Sequence, residues 1–178
     1  MHVPVTDLVG HPGATRELRR AVEVAAFGED PWTPAEGAVE DPVDLDLHLD
    51  SVVEGILVRG RVRARIERPC GRCLEPCPDD REVEVAELFV DPTRREEGEE
   101  ADPGYELIDD LTAIDLTTMV RDALLVDLPV RVLCAEDCRG LCPVCGANRN
   151  LDDCGHDPEP AADPRWAVLA ELDLRDEA

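Results

Sequence analysis

Metal-binding side chains are concentrated near the C-terminal end of this 178-residue chain. Five of its eight cysteines and one of its four histidines fall between positions 134 and 156. These donors are Cys134, Cys138, Cys142, Cys145, Cys154 and His156. Thiolate and imidazole groups are the ligands that zinc binds in a tetrahedron, at about 2.0–2.3 Å. The sequence therefore predicts a structural zinc site in this segment.

The turn Cys142-Pro-Val-Cys145-Gly is the strongest part of this pattern. A two-residue spacing lets both sulfurs reach one metal ion, and the glycine tolerates the left-handed conformation that such turns require. Cys154 is the next candidate ligand. The fourth position is open between Cys138 and His156, with Cys134 after them. Two ions that share thiolates are the alternative arrangement.

Disulfide bonds are the other common use of eight cysteines in a short chain. The first residues, Met1 to Asp7, lack the basic and then apolar pattern of a secretory signal. No apolar run approaches the roughly 18–20 residues that a membrane span needs. We therefore expect a cytoplasmic protein with reduced thiols and no membrane partner. A cysteine-rich site in a Gly/Pro turn is more often closed than catalytic, so we expect no enzymatic activity.

A second possible thiol site is formed by Cys70, Cys73 and Cys77. Its role is open between metal binding, packing and redox chemistry. A redox pair usually lies between a strand and a helix, whereas both flanks here have the alternating pattern of strands. We expect the pKa of the Cys70 and Cys73 thiols to stay near about 8, without redox catalysis. The alternative function is a thiol- or metal-dependent enzyme, or a redox sensor, that uses this pair or the 134–156 cluster.

One short segment is basic, although the chain as a whole has a net charge of −24. Six arginines and one acid lie between positions 59 and 72. The arginines are Arg59, Arg61, Arg63, Arg65, Arg68 and Arg72. They either contact RNA or a partner, or pair with carboxylates on a neighbouring strand, such as Asp44, Asp46 and Asp50. The overall charge disfavours general nucleic-acid binding and favours a basic protein partner.

Hydrophobic periodicity predicts the elements that position these groups. Alternating apolar residues predict strands at 43–50, 56–68 and 81–90. Apolar residues at helical spacing predict a helix from about Leu116 to Asp127, capped by Asp115. We therefore predict an α+β fold. It is a mostly antiparallel sheet or partly open barrel, with one or two packed helices and a Cys-rich zinc-binding segment near the C-terminus.

The same pattern divides the chain into three parts. We expect an α+β core domain at 1–132, with an acidic loop at about 91–104. Residues 133–157 form the Cys-rich zinc-binding segment, and 158–178 form a linker and a C-terminal docking helix.

Several stretches of the sequence resemble the bacterial YceD family. The most specific is 133–150, and the others are 115–129, Cys70–Leu74 and 163–169. The family's closing Cys-x-Cys appears here as Cys154-Gly155-His156. The resemblance implies a role in large-subunit (23S) ribosomal RNA accumulation and ribosome assembly, without an established catalytic activity. We expect the direct partner to be a ribosomal protein or an assembly intermediate, with rRNA contact secondary.

Overall fold

The computed structural model describes residues 1–28, 37–94, 105, 107–108, 111–126, 128–156 and 165. Within these ranges the chain forms seven β-strands, one α-helix and two short 3-10 helices. The strands are β1 (His2–Pro4), β2 (Thr15–Val22), β3 (Ala38–Ser51), β4 (Gly55–Pro69), β5 (Pro76–Val90), β6 (Leu107–Ile108) and β7 (Ala113–Asp115). Helix α1 is Thr117–Leu125, and the 3-10 helices are Val24–Phe27 and Pro92–Arg94.

The larger sheet is built from the alternating segments. Among the described residues it has four antiparallel strands in the order β2-β3-β4-β5. On β3, the apolar residues of the alternation face the core, and none is more than 2% exposed. These residues are Val43, Leu45, Leu47 and Leu49. The three predicted strands are confirmed, and each is longer than its alternating stretch: the pairing continues at both ends of β3 and β4 and at the N-terminal end of β5.

The smaller sheet and the helix share one apolar core with the larger sheet. In the described part of the chain, the smaller sheet has the order β1-β7-β6. Helix α1 packs against β4 and β5. The predicted apolar stripe is confirmed: Leu116, Met119, Val120 and Leu124 are at most 2% exposed, and Ala123 is partly buried against the same core. The helix is shorter than the predicted 116–127, and its N-cap residue is Leu116, where Asp115 was expected. The carboxylate of Asp115 still accepts a hydrogen bond from the backbone N–H of Thr117 at 3.0 Å.

The predicted α+β class with a mostly antiparallel sheet is confirmed. Within the described residues the larger sheet is open, with β2 and β5 at its edges, so it does not close into a barrel. The predicted docking helix and most of the acidic loop lie outside the described residues. The division at 132/133 and 157/158 therefore stays a prediction. None of the described helices combines the length and the apolar character needed to cross a bilayer.

Candidate metal centres

The first cysteine pair lies at the end of the β4–β5 hairpin. Pro69 ends β4 and faces Pro76, which begins β5. The residues between them, 70–75, form a turn that we call the hairpin tip. The backbone N–H of Cys70 donates to the carbonyl of Glu75 at 2.8 Å and closes this turn. The prediction that strands flank this cysteine pair is confirmed.

The chain that follows α1 returns to the hairpin tip and contacts it through backbone atoms. The N–H of Gly71 donates to the carbonyl of Val132 at 2.8 Å. The N–H of Leu141 donates to the carbonyl of Arg72 at 3.1 Å. These two hydrogen bonds hold residues 132–141 against the hairpin tip.

Four sulfurs meet at this contact. They belong to Cys70, Cys73, Cys134 and Cys138, lie within 4.8 Å of one another, and are called here the first cluster. The Sγ atoms of Cys70 and Cys138 are 3.8 Å apart, and those of Cys73 and Cys134 are 3.5 Å apart. A Zn–S bond of about 2.3 Å places the sulfurs of a tetrahedral site about 3.8 Å apart. The first cluster therefore has the spacing of a tetrahedral metal site.

Backbone N–H groups favour ionised sulfur in the first cluster. The N–H of Cys73 has the largest effect, and the N–H groups of Arg72 and Cys134 lie 3.4 Å from the Sγ of Cys70. Together they lower the pKa of Cys70 to about 5, although burial opposes ionisation. The expectation of an ordinary pKa near about 8 is therefore wrong for Cys70. A thiolate is the form that binds a metal ion.

The pKa values of two other thiols in the first cluster, those of Cys73 and Cys134, are raised. The N–H of Glu75 opposes the shift at Cys73, but burial raises its pKa, so the expectation of an ordinary value is wrong for Cys73 as well. Hydrogen bonds with Cys73 and Cys138 raise the pKa of Cys134 to about 12. A metal cation displaces such protons, because its ligands must be deprotonated. The first cluster is thus partly ionised without a metal ion, and a metal ion bound there would complete the ionisation.

Asn150 contacts the first cluster from a later turn of the chain. Its Nδ2 donates to the Sγ of Cys138 at 3.4 Å, and its Oδ1 accepts from the N–H of Arg139 at 2.8 Å. Burial opposes ionisation of Cys138, but this amide and the N–H of Gly140 lower its pKa. Sequence reasoning did not assign a role to Asn150, since nothing local distinguishes it from other loop asparagines.

The remaining donors form a second cluster. It consists of Cys142, Cys145, Cys154 and His156, whose donor atoms lie within 4.8 Å of one another. The N–H of Gly146 donates to the carbonyl of Cys142 at 2.8 Å and closes the predicted turn. The N–H groups of Cys145 and Val144 lower the pKa of Cys142 to about 6. Three sulfurs and one imidazole are again a donor set suited to zinc.

The six predicted donors do not form a single site but belong to two clusters. Cys134 and Cys138 lie with Cys70 and Cys73, and among the described residues the two clusters have no ligand in common. The expectation of one site followed from proximity in sequence. The hairpin tip, which supplies the other half of the first cluster, is more than 60 residues away along the chain.

All eight cysteines are free, so the cysteines form no disulfides in this structure. Cys77 belongs to neither cluster. It is 7% exposed, packs against the first cluster, and its Sγ donates to the carbonyl of Glu75 at 3.6 Å. Burial raises the pKa of its thiol. Of the three open roles for this residue, the structure supports packing.

The arginines on the outer face of β4 lie between two acidic strands. In the ladder, Arg61 has Asp46 on one side and Glu84 on the other. Arg63 is flanked in the same way by Asp44 and Glu82. The ion pairs are Arg59–Asp50 at 2.7 Å, Arg61–Glu82 at 3.5 Å, Arg63–Glu82 at 2.5 Å, Arg65–Asp80 at 3.7 Å and Arg65–Glu40 at 3.8 Å. Of the two readings of these arginines, the structure supports pairing with carboxylates.

Two of the six arginines do not belong to this row. Arg68 points inward, is 4% exposed, and its Nη1 donates to the carbonyl of Pro129 at 2.7 Å. The Nη1 of Arg72 donates to the carbonyls of Glu136 at 3.1 Å and Cys138 at 2.9 Å. A joint contact of all six arginines with RNA or a partner is therefore not supported. Arg68 and Arg72 instead hold the chain after α1 against the hairpin.

Residues 58–173 match the family described as Large ribosomal RNA subunit accumulation protein YceD. The chain belongs to the YceD family. An uncharacterized protein of Mycobacterium tuberculosis is 38% identical over 174 residues, which cover 97% of this chain and 81% of that protein. An uncharacterized protein of Mycobacterium leprae is 34% identical over 170 residues, which cover 94% of this chain and 75% of that protein. No solved structure matches this chain significantly.

The YceD match confirms the resemblance and includes both clusters. All eight donors, from Cys70 to His156, lie inside the matched residues. The family description names a role in accumulation of the large ribosomal RNA and does not name a chemical reaction.

Proposed function

We propose that this protein is a non-catalytic cytoplasmic factor that supports 23S ribosomal RNA accumulation and assembly of the large ribosomal subunit. Membership of the YceD family supports the ribosomal role. The number of ligands in each cluster supports a non-catalytic mode of action, because each cluster offers four protein ligands to one ion. A catalytic zinc needs a coordination position open to water or substrate, and a four-ligand protein site leaves none.

Zinc is the metal that fits these clusters. Sulfur and imidazole donors select zinc over magnesium or calcium, which prefer oxygen ligands. The first cluster offers four sulfurs and the second offers three sulfurs and an imidazole. Because binding of such an ion contributes folding free energy, zinc has a structural role here.

The charges on the sheet support a basic protein as the direct partner. The outward arginines of β4 already contact carboxylates, and the whole chain has a net charge of −24. Such a surface repels bare RNA and attracts cations. A basic ribosomal protein, free or in an assembly intermediate, has the complementary charge. Contact with rRNA itself is secondary.

Two low pKa values, those of Cys70 and Cys142, favour thiol chemistry instead. Reactive cysteines are partly exposed as well as ionised, whereas Cys70 is 0% exposed and Cys142 is only 2% exposed. Zinc-loaded protein should therefore react slowly with thiol reagents and should not turn over a disulfide substrate. Turnover that is lost in Cys70→Ser would establish the redox alternative.

The role in rRNA accumulation is tested in cells that lack the gene. We expect a reduced ratio of 23S to 16S rRNA, restored by the wild-type chain and by Cys77→Ser, which lies outside both clusters. The double variant Cys70→Ser/Cys73→Ser should fail to restore the ratio. An unchanged ratio in the deletion strain would contradict the proposed function.

The class of partner is tested by capture from lysate at increasing salt. The triple variant Arg61→Ser/Arg63→Ser/Arg65→Ser makes the sheet face more acidic, so it should retain the basic ribosomal proteins. The matched variant Asp44→Asn/Glu82→Gln/Glu84→Gln should retain less of them. Tight, salt-sensitive binding of naked ribosomal RNA, with no ribosomal protein captured, would contradict the proposed partner.

A further inference from the structure

The eight donors divide into two sets that differ in burial and in their distance along the chain. We infer that the chain binds two zinc ions at separate sites: an ion in the first cluster that fastens residues 130–156 to the β4–β5 hairpin, and an ion in the second cluster that can be removed while the first remains. This inference rests on the proposal above that the clusters bind zinc. Beyond that proposal, it specifies the number of ions, the ligands of each ion and the order in which the ions are released.

The first cluster has the features of a tightly held ion. Three of its four cysteines are at most 4% exposed, namely Cys70, Cys73 and Cys138. Two of its thiols receive hydrogen bonds from backbone or side-chain N–H groups, which orient the sulfurs before the ion binds. Such contacts around the ligands typically change metal affinity by about 10–100-fold. An ion in this position is shielded from chelators by the protein around it.

The first cluster also joins parts of the chain that are distant in sequence. Its members are separated by 61 residues for Cys73 and Cys134 and by 68 for Cys70 and Cys138. An ion bound there closes long loops, and closing a long loop removes more conformational entropy from the unfolded chain. Loss of this ion should therefore release residues 130–156 from the hairpin, because only a few hydrogen bonds would then hold this segment in place.

The second cluster is local and open to solvent. Its ligands lie within residues 142–156, so its ion organises only two adjacent turns. Cys142 is buried, but Cys145 is exposed, Cys154 is partly exposed, and His156 is exposed as well. Chelators reach an exposed ion more readily than a buried one. The second ion should therefore leave first, and its loss should leave the first cluster intact.

The number of ions is tested by native mass spectrometry of the full chain purified with zinc. We expect two zinc ions per chain in the wild type and in the control Cys77→Ser. Cys70→Ser/Cys73→Ser and Cys142→Ser/Cys145→Ser should each bind one ion. One ion in the wild type would overturn this inference and leave the zinc proposal intact, whereas no ion would overturn both. Neither result bears on the 23S rRNA measurement in cells, which tests the proposed function separately.

The ligand sets and the order of release are tested on the wild-type chain alone, so misfolding of a variant does not affect the result. Cobalt(II) in place of zinc should give visible spectra of two site types, one with four sulfurs and one with three sulfurs and a nitrogen. A chelator should remove the bands of the three-sulfur site first. Release in a single phase, or earlier loss of the four-sulfur bands, would overturn the inference.

Discussion

The Sγ atom of Cys70 lies 3.8 Å from the Sγ atom of Cys138, although 68 residues separate the two cysteines along the chain. Cys70 begins the turn at the end of the β4–β5 hairpin, and Cys138 lies in the segment that follows helix α1. Backbone hydrogen bonds from Gly71 and Leu141 bring these two parts together. A metal ion between the sulfurs would therefore stabilise a contact that the backbone already makes.

Gly140→Ala should loosen this contact more than Gly146→Ala does. Both glycines have a left-handed φ, +72° and +76°, so alanine costs about 1–2 kcal/mol in either turn. At position 140 the added Cβ would also lie 3.0 Å from the carbonyl oxygen of Arg72, whereas at position 146 nothing lies within 4 Å. Hydrogen exchange of residues 130–141 measures the difference. Equal exchange rates in the two variants would show that the close contact between position 140 and the carbonyl of Arg72 does not stabilise this segment.

Asn150→Ala should weaken zinc binding in the first cluster by about 10–100-fold, because it removes a hydrogen bond to a ligand sulfur. Competition with a chromophoric chelator measures this affinity. The neighbouring Leu151→Ala removes a side chain that is 74% exposed and serves as the control. An affinity equal to that of the control would show that the hydrogen bond from Asn150 does not strengthen zinc binding.

Arg72→Lys should destabilise the segment after α1, although it keeps the positive charge. The Nη1 of Arg72 donates to two carbonyls, those of Glu136 and Cys138, and a flexible ammonium group does not reproduce the planar guanidinium geometry. Limited proteolysis should cleave residues 130–156 faster in this variant. The control is Arg59→Lys, on the outer face of β4. If Arg72→Lys is cleaved no faster than the control, the charge alone is sufficient.

Glu82→Gln should lower the melting temperature slightly at pH 7 and have no effect at low pH. The hydrogen bond from Arg63 lowers the pKa of Glu82 in the folded protein. A group with a lowered folded pKa stabilises the fold above its unfolded pKa, about 4.3, and this contribution is lost as the pH falls through the folded value. The effect is small because the pair is exposed and screened by salt.

Melting curves of the wild type and Glu82→Gln between pH 7 and pH 3 measure this effect. Glu87→Gln, also on the exposed part of β5, is the control. Any bound metal ion would be lost in acid from all three chains alike, so only the difference in melting temperature between them is interpreted. A constant difference from pH 7 to pH 3 would contradict a role for the ionised Glu82–Arg63 pair.

Local sequence pattern was sufficient to predict β3, β4, β5 and helix α1. The alternation of Val43, Leu45, Leu47 and Leu49 predicts β3, and the spacing of the apolar residues from Leu116 to Leu124 predicts α1. These predictions succeed because the period of a strand or a helix alone decides which of its residues share one face, and an apolar face is buried. The Cys142-Pro-Val-Cys145-Gly turn was predictable for the same reason, since its geometry is local.

The grouping of the donors was decided only by the tertiary structure. Sequence proximity joined Cys134 and Cys138 to the cysteines that follow them, whereas the fold brings both to the hairpin tip. The roles of the arginines depended in the same way on strand register, which places carboxylates on both sides of Arg61. A sequence shows which side chains are able to bind a metal or pair a charge. Which of them meet depends on contacts between distant segments, and these form only when the chain has folded.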